Sequence, residues 1–318
     1  MLIYISKRLA YIFLILVAMS ILIFAITQIL PGNVAQMILG QFASEESIKL
    51  LEAKLGLNDP LPVQYWRWAR GIFHGDLGHS LVMDRPIAAM LKQAFMRSAV
   101  LAFFSFFFVT VIGIGLGVIA AVRKNSPTDH IVSVFTYFGI SVPEFFWGIV
   151  FIMLFASYLG WLPSGQYVEM TESFRGWLVH LILPVATLTL TLIAHVSRLT
   201  RSSMLEALQS QYVRAARAKG LPERVVLVRH ALRNALLPTI TILAIDVGWL
   251  FGGIVVVETV FSFPGLGRLL IFAIGRQDLP LIQACILVIT ALYSFSNLFA
   301  DLLYTYFNPR VRYARKAE

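Results

Sequence analysis

Residues 99–122 read AVLAFFSFFFVTVIGIGLGVIAAV, a stretch without one charge, closed by Arg97 on one side and Arg123-Lys124 on the other. A hydrocarbon layer about 30 Å thick needs roughly 20 apolar residues in helical form. This stretch is long enough, and it reads as a helix that crosses a membrane.

Five further stretches qualify by the same measure, at 9–30, 131–157, 178–196, 235–257 and 281–307. Of the 318 residues, 58% are hydrophobic and only 14% charged. Soluble domains lie nearer half apolar and a quarter charged. One globule of this length cannot hide that much apolar surface, so a bilayer is the expected solvent. Lys7 and Arg8 precede the first stretch as they would a signal peptide. Its apolar run exceeds the usual 7–15 residues of such a peptide, so it reads as a retained span. The expected fold is an all-α polytopic membrane protein with six transmembrane helices. A formal charge of +9 would suit a nucleic-acid binder. Here the basic residues are scattered between apolar blocks, which membrane orientation explains better. Cys285 is the sole cysteine and can form no internal disulfide.

Orientation follows from the Lys and Arg content of the connections. With both termini cytoplasmic, that side holds Lys7, Arg8, Arg123, Lys124, eight basic residues from Arg198 to Arg233, and four in the tail. Only Asp129, Glu206, Glu223 and Glu318 oppose them there. The outer side balances ten bases with ten acids. Two connections are longer than turns. The outer loop 31–97 contains at least one helix: Ser44 suits an N-cap, Glu45 and Glu46 suit a positive helix start, and Gly56 stops it before Asn58-Asp59-Pro60. The cytoplasmic loop 198–236 is helical in pattern and strongly basic. Around them the chain 1–318 reads as a single transmembrane domain.

Within the cytoplasmic loop, Tyr212-Val213-Arg214-Ala215-Ala216-Arg217-Ala218-Lys219-Gly220-Leu221-Pro222-Glu223 carries the functional signal. Helix formers run to Gly220; glycine and Pro222 then break the helix before another begins and leads to Leu237-Pro238. The product is helix, sharp turn, helix, with Ala215 and Ala216 small enough for another surface to approach. From physics alone two readings stand: a charged loop that fixes topology, and a docking element.

The Ala215-Ala216 to Gly220 spacing, followed by Leu237-Pro238, resembles the EAA loop of ATP-binding cassette importer permeases. Arg214 stands where that pattern has Glu. This departure, together with Arg229-His230-Ala231-Leu232-Arg233-Asn234-Ala235, is similar to the dipeptide, oligopeptide and nickel branch. Supporting pieces run along nearly the whole chain. They include Pro31-Gly32, with Asn33 for the usual Asp, and Gly75-Asp76-Leu77-Gly78-His79-Ser80. Ser141-Val142-Pro143, Leu162-Pro163-Ser164-Gly165, Phe263-Pro264-Gly265-Leu266-Gly267 and Asn308-Pro309-Arg310 complete the series.

The resemblance implies the type I ABC importer permease fold in a bacterial inner membrane, serving peptides, nickel, a metallophore or glutathione-like cargo. It implies a coupling role for Arg214, Ala215, Ala216, Gly220, Leu221 and Glu223. It also implies a second homologous permease, two ATP-binding subunits carrying ATP and Mg, and an extracytoplasmic solute-binding protein. The chain has no Gly-x-x-x-x-Gly-Lys-Ser/Thr phosphate loop and so is expected to be non-catalytic, without a cofactor of its own. Six histidines show no paired ligand spacing, so no metal site is expected.

Candidate pathway residues are Glu144, Asp246, Gly252 and Gly253. A carboxylate within a span is costly and must face water or a partner. Pairing inside the bundle and service to a cationic solute therefore both remain open, Asp246 being the better placed of the two. Gly113, Gly115 and Gly117 include a Gly-x-x-x-Gly pair; these small residues permit close helix approach, a reading preferred to a direct substrate role. Tyr65-Trp66-Arg67-Trp68 suits an interfacial anchor as well as a protein contact. An ion-driven secondary transporter would need inverted repeats or broken midplane helices, and no convincing repeat is found. An intramembrane hydrolase would need a buried nucleophile pair; His195 and Ser197 point to different helix faces.

Overall fold

The computed structural model describes residues 2–29, 35, 39 and 43–307. Pro31-Gly32, Asn33, Asn308-Pro309-Arg310 and the basic tail lie outside the described residues. Within hydrocarbon a helix satisfies its own backbone hydrogen bonds, so apolar segments of this length fold as helices. In chain order these are α1 (Leu2–Ile29), α2 (Glu45–Leu55), α3 (Leu61–Phe73), α4 (Ile87–Val122), α5 (Pro127–Ser141) and α6 (Glu144–Tyr158). They continue with α7 (Phe174–Gln209), α8 (Gln211–Ala218), α9 (Glu223–Val260), α10 (Leu266–Gly275) and α11 (Leu279–Phe307). Among the described residues α1, α4, α7, α9 and α11 are long and apolar enough to cross a membrane, and the bent pair α5 and α6 brings the spans to six.

That bend departs from the single helix expected over 131–157. The pair turns by 105° at Val142-Pro143. Proline has no N–H to donate and its ring pushes the preceding residue out of helical geometry. Val142 accordingly lies at φ −116°, ψ 133°, and Pro143 starts the next helix. The second span also begins earlier than its apolar stretch, at Ile87.

In the outer connection, Ser44 caps α2 by accepting from the Ser47 N–H at 3.2 Å. Gly56, at φ 65°, ends that helix in the left-handed region. Gln64 ties the following turn by donating to the carbonyls of Leu57 and Asp59, both at 2.8 Å.

Packing divides the chain into two compact units. The first comprises Met1–Ser98 and Pro264–Phe295. Its core gathers Ile87, Leu91, Leu266, Leu281 and Cys285. Tyr65 and Trp68 of α3 pack on Phe24 of α1, and the hydroxyls of Ser20 and Tyr65 meet at 2.8 Å. Buried Asp278 accepts from the Ser80 hydroxyl and from the Val82 and Leu281 N–H groups.

The second unit comprises Ala99–Phe263 and Ser296–Glu318. Leu101 and Val109 of α4, Leu188 and Val196 of α7, and Leu250 and Val257 of α9 form its main core. Gly113 and Gly117 let α4 press on α7. A Cβ at 113 would stand 2.9 Å from the Val196 side chain, and one at 117 would stand 2.6 Å from the Ser197 carbonyl oxygen. Gly115, between them, has no atom within 4 Å of that position.

Candidate functional site

α7 stops at Gln209, and α8 starts two residues later around Ser210, whose extended backbone breaks the helical run. The Ser210 hydroxyl donates to the Ala207 carbonyl at 2.5 Å, which pins the corner. α8 then has two faces. Val213 and Ala216 point inward, joining Ala121 at the end of α4, Met204 and Ala207 of α7, and Val226, Ala231 and Ala235 of α9 in a second core. Arg214, Ala215, Arg217 and Ala218 point outward and are exposed.

The sequence suggests Ala215 and Ala216 together as a surface for close approach; the structure separates them. Ala215 is open, whereas Ala216 is spent on the chain's own packing at 4% exposure. Successive helical positions lie about 100° apart, so adjacent alanines on a two-faced helix cannot share a role.

Beyond α8 the Lys219 N–H donates to Ala215 at 3.1 Å and the Gly220 N–H to Arg217 at 2.9 Å. Gly220 sits at φ 73°, where a side chain would be strained. Leu221 is exposed, Pro222 caps the start of α9, and Glu223 is its first residue. Arg217 spans the turn with a two-pronged ion pair to Glu223, NH2 to Oε1 at 2.6 Å and Nε to Oε2 at 3.2 Å. That carboxylate raises the affinity of the Arg217 guanidinium for its proton. Both partners are exposed, so the pair shapes the turn more than it stabilises the fold.

Another ion pair of the second unit carries no sequence signal as a pair. Arg201 of α7 grips Asp129 of α5, Nε to Oδ1 at 2.6 Å and NH2 to Oδ2 at 2.7 Å. Asp129 is buried and also accepts from the Asn125 N–H at 2.9 Å. Ser126-Pro127 followed by Asp129 is a legible helix start, with Ser126 accepting from the Asp129 N–H at 3.3 Å. Its arginine lies 72 residues away.

The four candidate pathway residues divide. Asp246 of α9 is 2% exposed, with Oδ1 3.6 Å from Nδ1 of His195 on α7, and the His195 ring meets Trp249 edge-on. It is turned into the bundle. Glu144, at the start of α6, is half-buried and lies against Gly253 of α9. A Cβ on residue 253 would stand 2.5 and 2.7 Å from its two carboxylate oxygens. Gly252 is exposed, with nothing within 4 Å of its own Cβ position. The structure therefore joins Glu144 to Gly253 and sets Asp246 apart. Among the described residues no group of three or more His, Cys, Asp or Glu could hold a metal ion.

Residues 113–313 match the family of binding-protein-dependent transport system inner membrane components, and residues 1–102 match the N-terminal region of the same membrane components. The chain belongs to this family. As a multi-pass permease subunit of an ATP-binding cassette importer, it has full-length relatives. It is 38% identical over 311 residues to a probable peptide ABC transporter permease of Sinorhizobium fredii, covering 98% of this chain and 99% of that one. A dipeptide transport system permease, DppB of Alkalihalophilus pseudofirmus, is 38% identical over 337 residues, covering 98% of this permease and 100% of the relative. The glutathione transport system permease GsiC of Escherichia coli is 39% identical over 313 residues, with coverage of 98% and 100%. The fold is also that of a methionine ABC transporter, MetNI, in an inward-facing crystal form. The TM-score is 0.57 at 19% identity, covering 71% of this permease and all of that chain.

Proposed function

We propose that this permease imports peptides or a small peptide-like solute and forms half of the pathway, the other half coming from a second related permease. Two ATP-binding subunits bind ATP with Mg and hydrolyse it, and an extracytoplasmic binding protein delivers the solute. Both termini and the 198–236 loop face the cytoplasm. The 214–223 loop docks on an ATP-binding subunit through Arg214, Ala215, Gly220, Leu221 and Glu223, while Ala216 anchors it from within.

The observation that carries this reading is the division of α8 into one face packed in the permease core and one exposed face presenting Arg214, Ala215 and Arg217. A loop serving only as topological charge has no need of a buried face. A docked element does, because force applied outside must reach the spans. The names of the relatives support the peptide cargo. ATP-driven closure of the ATP-binding subunits would shift the spans between inward-open and outward-open states, with ATP binding supplying the bias.

The test is uptake of a labelled dipeptide into vesicles holding the complete complex, with binding protein outside and ATP inside. Uptake is expected to require both ATP and the ATP-binding subunits. Uptake that persists without them and follows an ion gradient would overturn the proposal.

A further inference from the structure

We infer that Glu144 recognises a cationic group on the transported solute, the free α-ammonium of a peptide; this rests on the peptide reading above. Its place in the fold is the first argument. Glu144 opens α6 at the Val142-Pro143 break, between the two apolar helices of the bent pair rather than at an outer end of it.

The second argument is its lack of a partner. Among the described residues the carboxylate makes no ion pair and no hydrogen bond; the ion pairs of this unit join other residues. A carboxylate in such a place is retained where it faces water or meets a cation. Asp246, the other candidate carboxylate, is buried, with one oxygen 3.6 Å from His195. Of the two, Glu144 is the one that is only half-buried.

Space around the group is the third. Gly253 lets the carboxylate rest directly on the α9 backbone, and the neighbouring position 252 is open. The carboxylate is half-buried, so it stays partly open to a solute while it rests on α9. An ammonium offers three N–H donors to two acceptor oxygens, and such charge-assisted bonds are about twice as strong as neutral ones.

The experiment compares uptake of Ala-Ala and N-acetyl-Ala-Ala by the complete reconstituted complex, each at a concentration that saturates the binding protein. The wild type is expected to favour the free amine. Glu144→Gln should lower Ala-Ala uptake at least tenfold and leave the acetylated peptide within twofold of wild type, while Glu144→Asp keeps the preference. Gly253→Ala, whose added methyl would push the carboxylate aside, should reproduce the loss without touching its charge. Equal losses for both peptides would assign Glu144 a purely structural or subunit-pairing role and overturn the inference. So would an unchanged ratio in Glu144→Gln, or a wild type that imports both peptides equally. A wild-type complex that imports neither peptide with ATP removes the peptide reading itself, and this inference with it. That result is distinct from normal import indifferent to Glu144.

Discussion

Replacing Gly220 separates the shape of the 214–223 loop from its volume. The residue lies at φ 73°, and a Cβ built there meets nothing within 4 Å. A side chain therefore costs backbone strain alone within this chain. The left-handed region costs an L-residue about 1–2 kcal/mol, with asparagine the usual exception. The amides of Lys219 and Gly220, bonded to Ala215 and Arg217, close this turn and report on it. In Gly220→Ala their hydrogen exchange should accelerate roughly five- to thirtyfold, the equivalent of that strain. Gly220→Asn should stay near wild type, and Gly220→Val should be worst because its branched side chain crowds the strained backbone. If α8 transmits force only in this pose, solute transported per ATP hydrolysed falls in the order Asn, Ala, Val. Measuring uptake and hydrolysis together in vesicles decides it. A variant series in which Ala outperforms Asn, with amide exchange unchanged, would show that volume rather than turn geometry matters, and would refute the reasoning.

The Asp129 clamp and the α4–α7 contact yield further expectations. Asp129→Asn should destabilise the permease by about 2–3 kcal/mol, below the full value for breaking a buried pair because Arg201 keeps 30% exposure. Thermal unfolding would show it, and adding Arg201→Gln should recover part of the loss. Gly117→Leu must force α4 from α7, since its Cβ would stand 2.6 Å from the Ser197 carbonyl oxygen, and should cost about 3 kcal/mol or more. Gly115→Leu, with open space, should melt at the wild-type temperature; equal damage at both positions would contradict the packing described.

Hydropathy located every span because solvent choice is an additive property of local composition. It missed the 105° bend because a dihedral break at Val142-Pro143 removes no apolar residue from the count. Caps were readable where one residue type acts on its own neighbours: Ser44 and Gly56 around α2, and Gly220 with Pro222 around the loop. α3 was not named as a helix, since it is short, amphipathic and carries Pro62 in its first turn. The candidate site was legible in outline only. The 214–223 stretch declared itself by pattern, yet nothing local says which of Ala215 and Ala216 faces inward. Nor does the chain announce that Glu144 meets Gly253, that Asp246 meets His195, or that Arg201 holds Asp129. Those pairings depend on how distant helices are brought together.

The small core behind α8 has a mechanical consequence. Val213 and Ala216 are packed with Ala121, Met204 and Val226, which belong to the ends of three different helices. Protein interiors are as dense as organic crystals and yield little to compression. A load applied at Ala215 is therefore not taken up as slack in the loop. If the loop docks as proposed, that load would be divided at once among α4, α7 and α9, with the short helix as the foot of a lever beneath three membrane helices.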